Sequence, residues 1–180
     1  MSKIVIVDDF FTVEECERAI QLFLRIGPSK IGESTIDAHG TISSAENSNE
    51  ILNIDNINEM NEYKDKLFDA AKTYCDETII YGWSEIVKWK TNVWQESHID
   101  LAHPDTIFTA ISYLNDNYTG GETFIEDMNV TPKQGRVAFF HGMQYAHGVR
   151  LITEGTRYTI PSWYNKPNGP VYIEGMKLWK

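Results

Sequence analysis

The stretch "TIFTAISYLNDNYTGGETFI", residues 106–125, decides the fold class. Two short runs rich in β-branched and aromatic residues flank a polar centre, "NDNYTGG". The runs read as strands, and the glycine pair is most simply a hairpin turn. Working outward, the same grammar repeats. "EIVKWKTNVWQ" (85–95) lies upstream, and "GRVAFF" (135–140) and "GTRYTIPSWY" (155–164) lie downstream. The turn signals "TPKQG" and "TEG" separate them. Many short strands in succession suit a barrel or a double-sheet jelly roll.

The chain before residue 84 reads differently. "KIVIVDDF" is a short strand candidate, followed by the helix candidate "TVEECERAIQLFL". Val13, Cys16, Ile20 and Phe23 recur there at helical spacing, Thr12 and Glu15 form a capping-box signature, and Gly27–Pro28 stop the helix. Residues 29–50 are polar, with a short hairpin expected near Gly40 and a lid over substrate as the functional reading. "NINEMNEYKDKLFDAAKTYCDETI" (56–79) is the longest helix candidate, with a stripe through Ile57, Met60, Lys64, Leu67, Ala71, Tyr74 and Thr78. The expectation is one α+β domain over 1–180. Residues 1–83 give helical support and a loop, 84–165 the β-rich core and 166–180 a tail.

Composition narrows the function classes. The 180 residues carry 16 basic and 26 acidic side chains, a formal charge of −10. Such an excess repels nucleic acid and anionic membranes at long range. Cys16 and Cys75 read as buried free thiols, and no cysteine cluster has zinc spacing. The N-terminal apolar run is too short for a signal peptide, and no apolar stretch reaches membrane-spanning length. A soluble cytoplasmic protein is expected.

Chemistry-bearing residues gather in the β-rich half. His98 and Asp100 end one strand run, and His147 begins another 49 residues after His98. Two histidines and a carboxylate can cap one face of an octahedral metal and leave open positions, which suits non-haem Fe(II). Zinc hydrolysis tolerates the same set, so the triad alone does not choose. Arg157 follows His147 by ten residues, an even separation that would put both on one face of an uninterrupted strand. An inward arginine is costly unless an anion neutralises it, and its planar fork grips a carboxylate. Thr159 would share that face. Together they imply a dicarboxylate reaching from a metal to a buried cation.

These residues, in this order, resemble the 2-oxoglutarate and Fe(II)-dependent oxygenases, in particular the prolyl 4-hydroxylase-like branch. The resemblance runs from "WKTNVWQESHID" through "TIFTAISYLNDNYTGGETFI" and "VTPKQGRVAFF" to "HGVRLITEGTRYTIPSWY", residues 89–164. "IVIVDDFFTVEECERAI" resembles the family's opening strand and helix, and residues 27–80 match loosely. The resemblance implies a double-stranded β-helix, a kind of jelly roll. It implies that His98, Asp100 and His147 hold Fe(II), and that Arg157, assisted by Thr159, binds the distal carboxylate of 2-oxoglutarate. It also implies O2 as oxidant, succinate and CO2 as by-products, and ascorbate as an accompanying cofactor.

Two departures matter. The branch commonly has lysine where this chain has Arg157, which weakens the proline preference. Trp89 stands where a cosubstrate-contacting tyrosine is common, and Tyr113 is an alternative hydroxyl. Related halogenases lack the carboxylate that Asp100 supplies, so its presence favours hydroxylation of a peptide, protein or free amino acid.

Other readings compete. His98 and Asp100 could be turn residues, and His141 rivals His147 as a ligand but fits the family pattern worse. His103 and His39 are read as solvent-facing or loop residues. Trp94 and Trp163 are expected in the core. Glu122 is expected at a solvated edge. Lys88 and Arg150 are read as plain strand charges. A nucleic-acid demethylase would carry a second arginine and an asparagine shortly before Arg157, and "LITEGT" offers no asparagine. A non-catalytic jelly-roll binding module would not require the triad.

Overall fold

The structure, a computed structural model, describes residues 4–31, 49–100 and 105–167. In chain order the strands are β1 (Val5–Val7), β2 (Lys30–Ile31), β3 (Glu50–Asn53), β4 (Ile80–Trp89), β5 (Gln95–His98), β6 (Thr106–Tyr113) and β7 (Thr119–Gly120). They continue as β8 (Thr123–Ile125), β9 (Met128–Val130), β10 (Val137–Phe140), β11 (His147–Val149), β12 (Ile152–Glu154) and β13 (Arg157–Asn165). The helices are α1 (Val13–Ile26) and α2 (Asn61–Tyr74).

A large sheet runs β1-β10-β6-β13-β4-β3-β2, and a smaller one runs β5-β11-β8-β9. β12 and β7 form a two-stranded ribbon. All the pairings are antiparallel. This is the jelly roll expected of the sequence. The helical half contributes more than support, however, because β1 and the β2–β3 pair extend the large sheet at its two edges.

β13 is the spine. It pairs with β4 on one side and β6 on the other. Side chains alternate across a strand, so its two faces do different work. Tyr158, Ile160 and Tyr164 enter the main core with Phe23 of α1, Leu67 and Ala71 of α2, and Phe108 and Phe139 of the sheet. Arg157, Thr159, Pro161 and Trp163 line a cleft on the other face. β4 alternates likewise, with Ile86 in the core and Glu85, Val87 and Trp89 on the cleft.

α1 begins as the sequence reads. Thr12 Oγ1 accepts from the Glu15 amide at 3.1 Å, and Glu15 Oε2 accepts from the Thr12 amide at 2.7 Å. Gly27 closes the helix at φ 81°, a value that costs a residue with a Cβ. The buried stripe is Cys16, Ala19, Leu22 and Phe23, and Val13 is exposed at its end. α2 is shorter than 56–79. A 3-10 turn spans Asn58–Met60, and Cys75 adopts an extended conformation that directs the chain toward β4. Lys64 is buried because its ammonium donates to the carbonyls of Ile54 at 3.1 Å and Asp55 at 2.6 Å.

Cys16 and Cys75 are buried free thiols, and burial pushes the Cys16 pKa up to about 11. Trp94 is not a core residue. It sits in the turn between β4 and β5, 40% exposed, with its indole N–H on Glu96 Oε1. The expected hairpin near Gly40 and the lid reading fall mainly on residues 32–48, outside the described residues, as do His39, His103 and the tail beyond 167. No helix among the described residues is long and apolar enough to cross a membrane.

Candidate metal centre

The two histidines meet because β5 and β11 pair, with His98 and His147 as direct cross-strand partners. Their ring centroids stand 4.4 Å apart. Asp100 follows the end of β5, where its amide donates to the carbonyl of Gly142 at 2.9 Å. Its Oδ1 lies 3.6 Å from His147 Nε2 and 3.9 Å from His98 Nε2. One ligand atom from each of the three residues falls within 4.8 Å of the others. Cis ligands about 2.1 Å from one ion stand about 3 Å apart, so a small side-chain adjustment would bring all three onto a shared metal.

The surroundings prepare these atoms. His98 Nδ1 lies 3.0 Å from the Glu96 carbonyl, and His147 Nδ1 lies 2.9 Å from the Tyr145 carbonyl. A carbonyl only accepts, so each Nδ1 carries the hydrogen and each Nε2 keeps its lone pair for a ligand bond. Burial, reinforced by His147, lowers the His98 pKa and favours neutral imidazole. Burial alone would raise the Asp100 pKa, but His147, the Thr109 hydroxyl and His98 outweigh it and hold the carboxyl below its ordinary value. Both shifts favour the deprotonated groups that metals bind. Thr109 Oγ1 donates to Asp100 Oδ2 at 2.6 Å, leaving Oδ1 toward the histidines.

Gly142 completes this support. A methyl group there would collide with Asp100 Oδ2 and Thr109 Oγ1. Gly142→Ala is therefore expected to weaken metal binding about tenfold, the scale of a lost supporting contact. Titration of the protein with Mn(II) or Fe(II) checks it, and unchanged affinity would remove Gly142 from this role.

Beyond the triad the cleft runs to Arg157, which is 1% exposed. Nη2 donates to Thr123 Oγ1 at 3.0 Å, while Nε and Nη1 have no hydrogen-bond partner among the described residues. No acid pairs with this guanidinium among the described residues. It lies 5.0 Å from the Trp89 ring centroid and 5.4 Å from that of Tyr113. Trp89 Nε1 donates to Thr159 Oγ1 at 3.2 Å, which leaves the threonine hydrogen free for an acceptor in the cleft. Tyr113 offers its ring rather than a free hydroxyl, since that oxygen is held by the Val130 carbonyl at 3.4 Å and the Thr123 amide at 3.3 Å. A buried cation with unused donors fits a carboxylate-bearing cosubstrate.

Sequence reasoning missed Thr123 and Tyr118. The Tyr118 hydroxyl is buried beside Arg157: burial raises its pKa, and the neighbouring guanidinium, by its charge and its side-chain contact, pulls it down. Both residues flank the "TGG" stretch that carries β7, and nothing in their spacing marks them. His141 is separated from the triad. It is buried against Phe108, 3.4 Å from Glu77, and does not line the cleft. Arg150 lies over Phe124 at 4.3 Å, and Lys88 pairs with Glu50 at 2.9 Å, so neither is an isolated strand charge. Trp163 lines the cleft and stacks on Trp83 at 4.7 Å rather than filling the core.

The cleft encloses about 140 Å³. A larger, more open groove of about 810 Å³ lies between α1 and the 3-10 turn, and includes no cluster of metal-ligating groups among the described residues.

Comparison with known proteins agrees with this geometry. Residues 85–165 match the 2OG-Fe(II) oxygenase superfamily. Human prolyl 3-hydroxylase 2 is 32% identical over 75 residues, which cover 37% of this chain and 10% of that protein. The chain thus matches about a tenth of that relative's length. Among solved structures, a Pseudomonas putida prolyl-4-hydroxylase superposes with a TM-score of 0.73 at 16% identity, covering 91% of this chain and 92% of the other. A Trichoplax adhaerens prolyl hydroxylase, in complex with a hypoxia inducible factor peptide fragment, gives 0.69 at 17% identity, with coverages of 92% and 84%. The structural likenesses speak for the fold, and the sequence match speaks for the lineage. Residues 85–165 thus carry the likeness to the 2OG-Fe(II) oxygenase superfamily, and the solved prolyl hydroxylases share the fold of the described residues.

Proposed function

We propose that His98, Asp100 and His147 hold Fe(II), that Arg157 with Thr159 binds the distal carboxylate of 2-oxoglutarate, and that the chain hydroxylates an amino-acid residue. The observation that carries this reading is Arg157, which among the described residues is buried without an anion and with two nitrogens unsatisfied, in the cleft that also holds the three convergent side chains. When bound, Fe(II) with 2-oxoglutarate and O2 supplies the oxidising power to hydroxylate an unactivated C–H bond, with release of succinate and CO2.

The chain's own residues bind, orient and shield. The two Nε2 atoms and Asp100 Oδ1 would hold the metal at the triad's end of the cleft. Arg157 neutralises a carboxylate that would otherwise be buried alone, and Trp89 and Tyr113 hold the guanidinium between them. Thr159 adds a hydroxyl donor. Val87, Ile111 and Val149 line the same cleft and exclude water from it. Ascorbate is the accompanying cofactor in this reading.

The substrate is a prolyl or other amino-acid residue of a peptide or protein. Support comes from the prolyl hydroxylase relatives and from the peptide bound to the Trichoplax enzyme. We read the described residues as one domain, in which β1, β2 and β3 complete the large sheet.

The test is spectroscopic. Anaerobic protein with Fe(II) and 2-oxoglutarate is expected to develop a weak visible metal-to-ligand charge-transfer band. A folded, iron-loaded protein that shows none would overturn the reading.

A further inference from the structure

Glu85 sits on the cleft face of β4 and is 6% exposed. The β4–β13 register pairs Arg157 with Trp89, Thr159 with Val87 and Trp163 with Trp83, so Pro161 faces Glu85. Four residues along a strand separate the Glu85 rung from the Arg157 rung, about 13 Å. A five-carbon diacid anchored at Arg157 does not span that distance, and a carboxylate would repel it there. Nor does Glu85 join the three metal-ligating atoms. A buried carboxylate on the cleft wall is therefore left without a part in the proposed chemistry.

Its partner indicates what it takes. Glu85 Oε1 is 2.8 Å from the ammonium of Lys30, whose side chain is 57% exposed while that of Glu85 is 8% exposed. The fixed, buried member of the pair belongs to the cleft, and the flexible, solvated member reaches it from β2. Two further features favour a cation at this end of the cleft. Trp163 lies two residues along the register from Glu85 and lines the same cleft, and aromatic faces attract cations. The net charge of −10 draws a cationic ligand in from a distance.

We propose that Glu85 selects the substrate by binding a cationic side chain of a peptide, which takes the place that the Lys30 ammonium holds in its absence. The inference rests on the oxygenase reading above and adds the substrate class to it. Removing Lys30 from Glu85 without a replacement would leave a buried charge alone, so a second cation is what makes the exchange favourable. The long, exposed lysine gives up little when it swings into water.

Full-length chain supplied with Fe(II), 2-oxoglutarate and ascorbate tests this. Blocked pentapeptides containing one prolyl and one lysyl residue, in either order, are compared with peptides carrying arginine, norleucine or glutamate in place of the lysine. Oxygen addition is read by mass, and KM and kcat are measured separately. The lysyl or arginyl peptides are expected to show a KM about tenfold below norleucine, the scale of one charge-assisted hydrogen bond. Which of the two is preferred distinguishes ammonium from guanidinium. Glu85→Gln should bring the cationic and norleucine peptides to about the same KM, and Lys30→Ala should lower the KM of cationic peptides alone.

A tie that merely joins β2 to β4 would be lost in both variants alike and would move all peptides together. Equal KM values for charged and neutral peptides in wild type, or a preference that survives Glu85→Gln, overturn the proposal. So does a protein that forms the charge-transfer band with 2-oxoglutarate yet hydroxylates none of these peptides, and the cosubstrate reading then stands. Failure of the band itself takes down the oxygenase reading and this one with it.

Discussion

Asp100→Ala is expected to remove 2-oxoglutarate turnover, a loss of at least about a hundredfold, above what a mere supporting contact costs. Asp100 is the sole anion among the three candidate ligands, and its Oδ1 faces both Nε2 atoms. The change should spare the fold, because what anchors this segment is the Asp100 backbone amide on the Gly142 carbonyl, which alanine keeps. The Thr109 hydroxyl loses its acceptor, a small cost beside the loss of the ligand. Succinate release and iron content, measured on protein with an unchanged melting profile, check the prediction. A variant within tenfold of wild type would show that the carboxylate has no such role.

Arg157→Met should move activity and stability in opposite directions. Among the described residues the guanidinium is buried with two nitrogens unsatisfied and no acid beside it, so without an anion it destabilises the fold. Methionine fills much of the same volume between Trp89 and Tyr113 with no charge to desolvate. Replacing buried charges by apolar groups stabilises proteins by about 1–4 kcal/mol, so at about 2–4 °C per kcal/mol the melting temperature of the unliganded variant is expected to rise by about 2–16 °C. Affinity for 2-oxoglutarate should fall about a hundredfold or more, the cost of taking one partner from a buried charged pair. The thermal stabilisation that 2-oxoglutarate gives wild type should vanish with it. A variant that melts lower and still binds 2-oxoglutarate would mean that Arg157 is a structural residue.

The long strands were legible because they are long. β6 and β13 carry enough β-branched and aromatic residues to declare themselves, and Thr12, Glu15 and Gly27 mark the ends of α1. The three-residue strands β9, β11 and β12 ("MNV", "HGV" and "ITE") are too short for alternation to register. β2 has two residues and is held by pairing with β3, which no local signal reveals.

The candidate site divides in the same way. His98, Asp100, His147 and Arg157 stand out by chemistry and order. That the histidines touch follows from the β5–β11 register, which is a property of the whole fold. Arg157 reaches the cleft by another route than a continuous strand from His147. β11, β12 and β13 are separate, and the turn at Gly155 (φ 82°) re-aims the chain before β13 begins opposite Trp89. Thr123, Glu85 and Asn49 were silent because they reach the cleft from strands or segments far apart in sequence, and each alone is an ordinary polar residue.

β13 separates wet chemistry from dry packing by parity alone. Arg157, Thr159, Pro161 and Trp163 serve the cleft, and Tyr158, Ile160 and Tyr164 the core. Inserting or deleting a single residue within 157–163 would exchange the two sets downstream of the lesion and turn core side chains such as Tyr164 toward the cleft. Length variation among descendants of this gene must therefore collect outside the spine, in connections such as the turn before Arg157, while β13 itself tolerates substitution but not a change of phase.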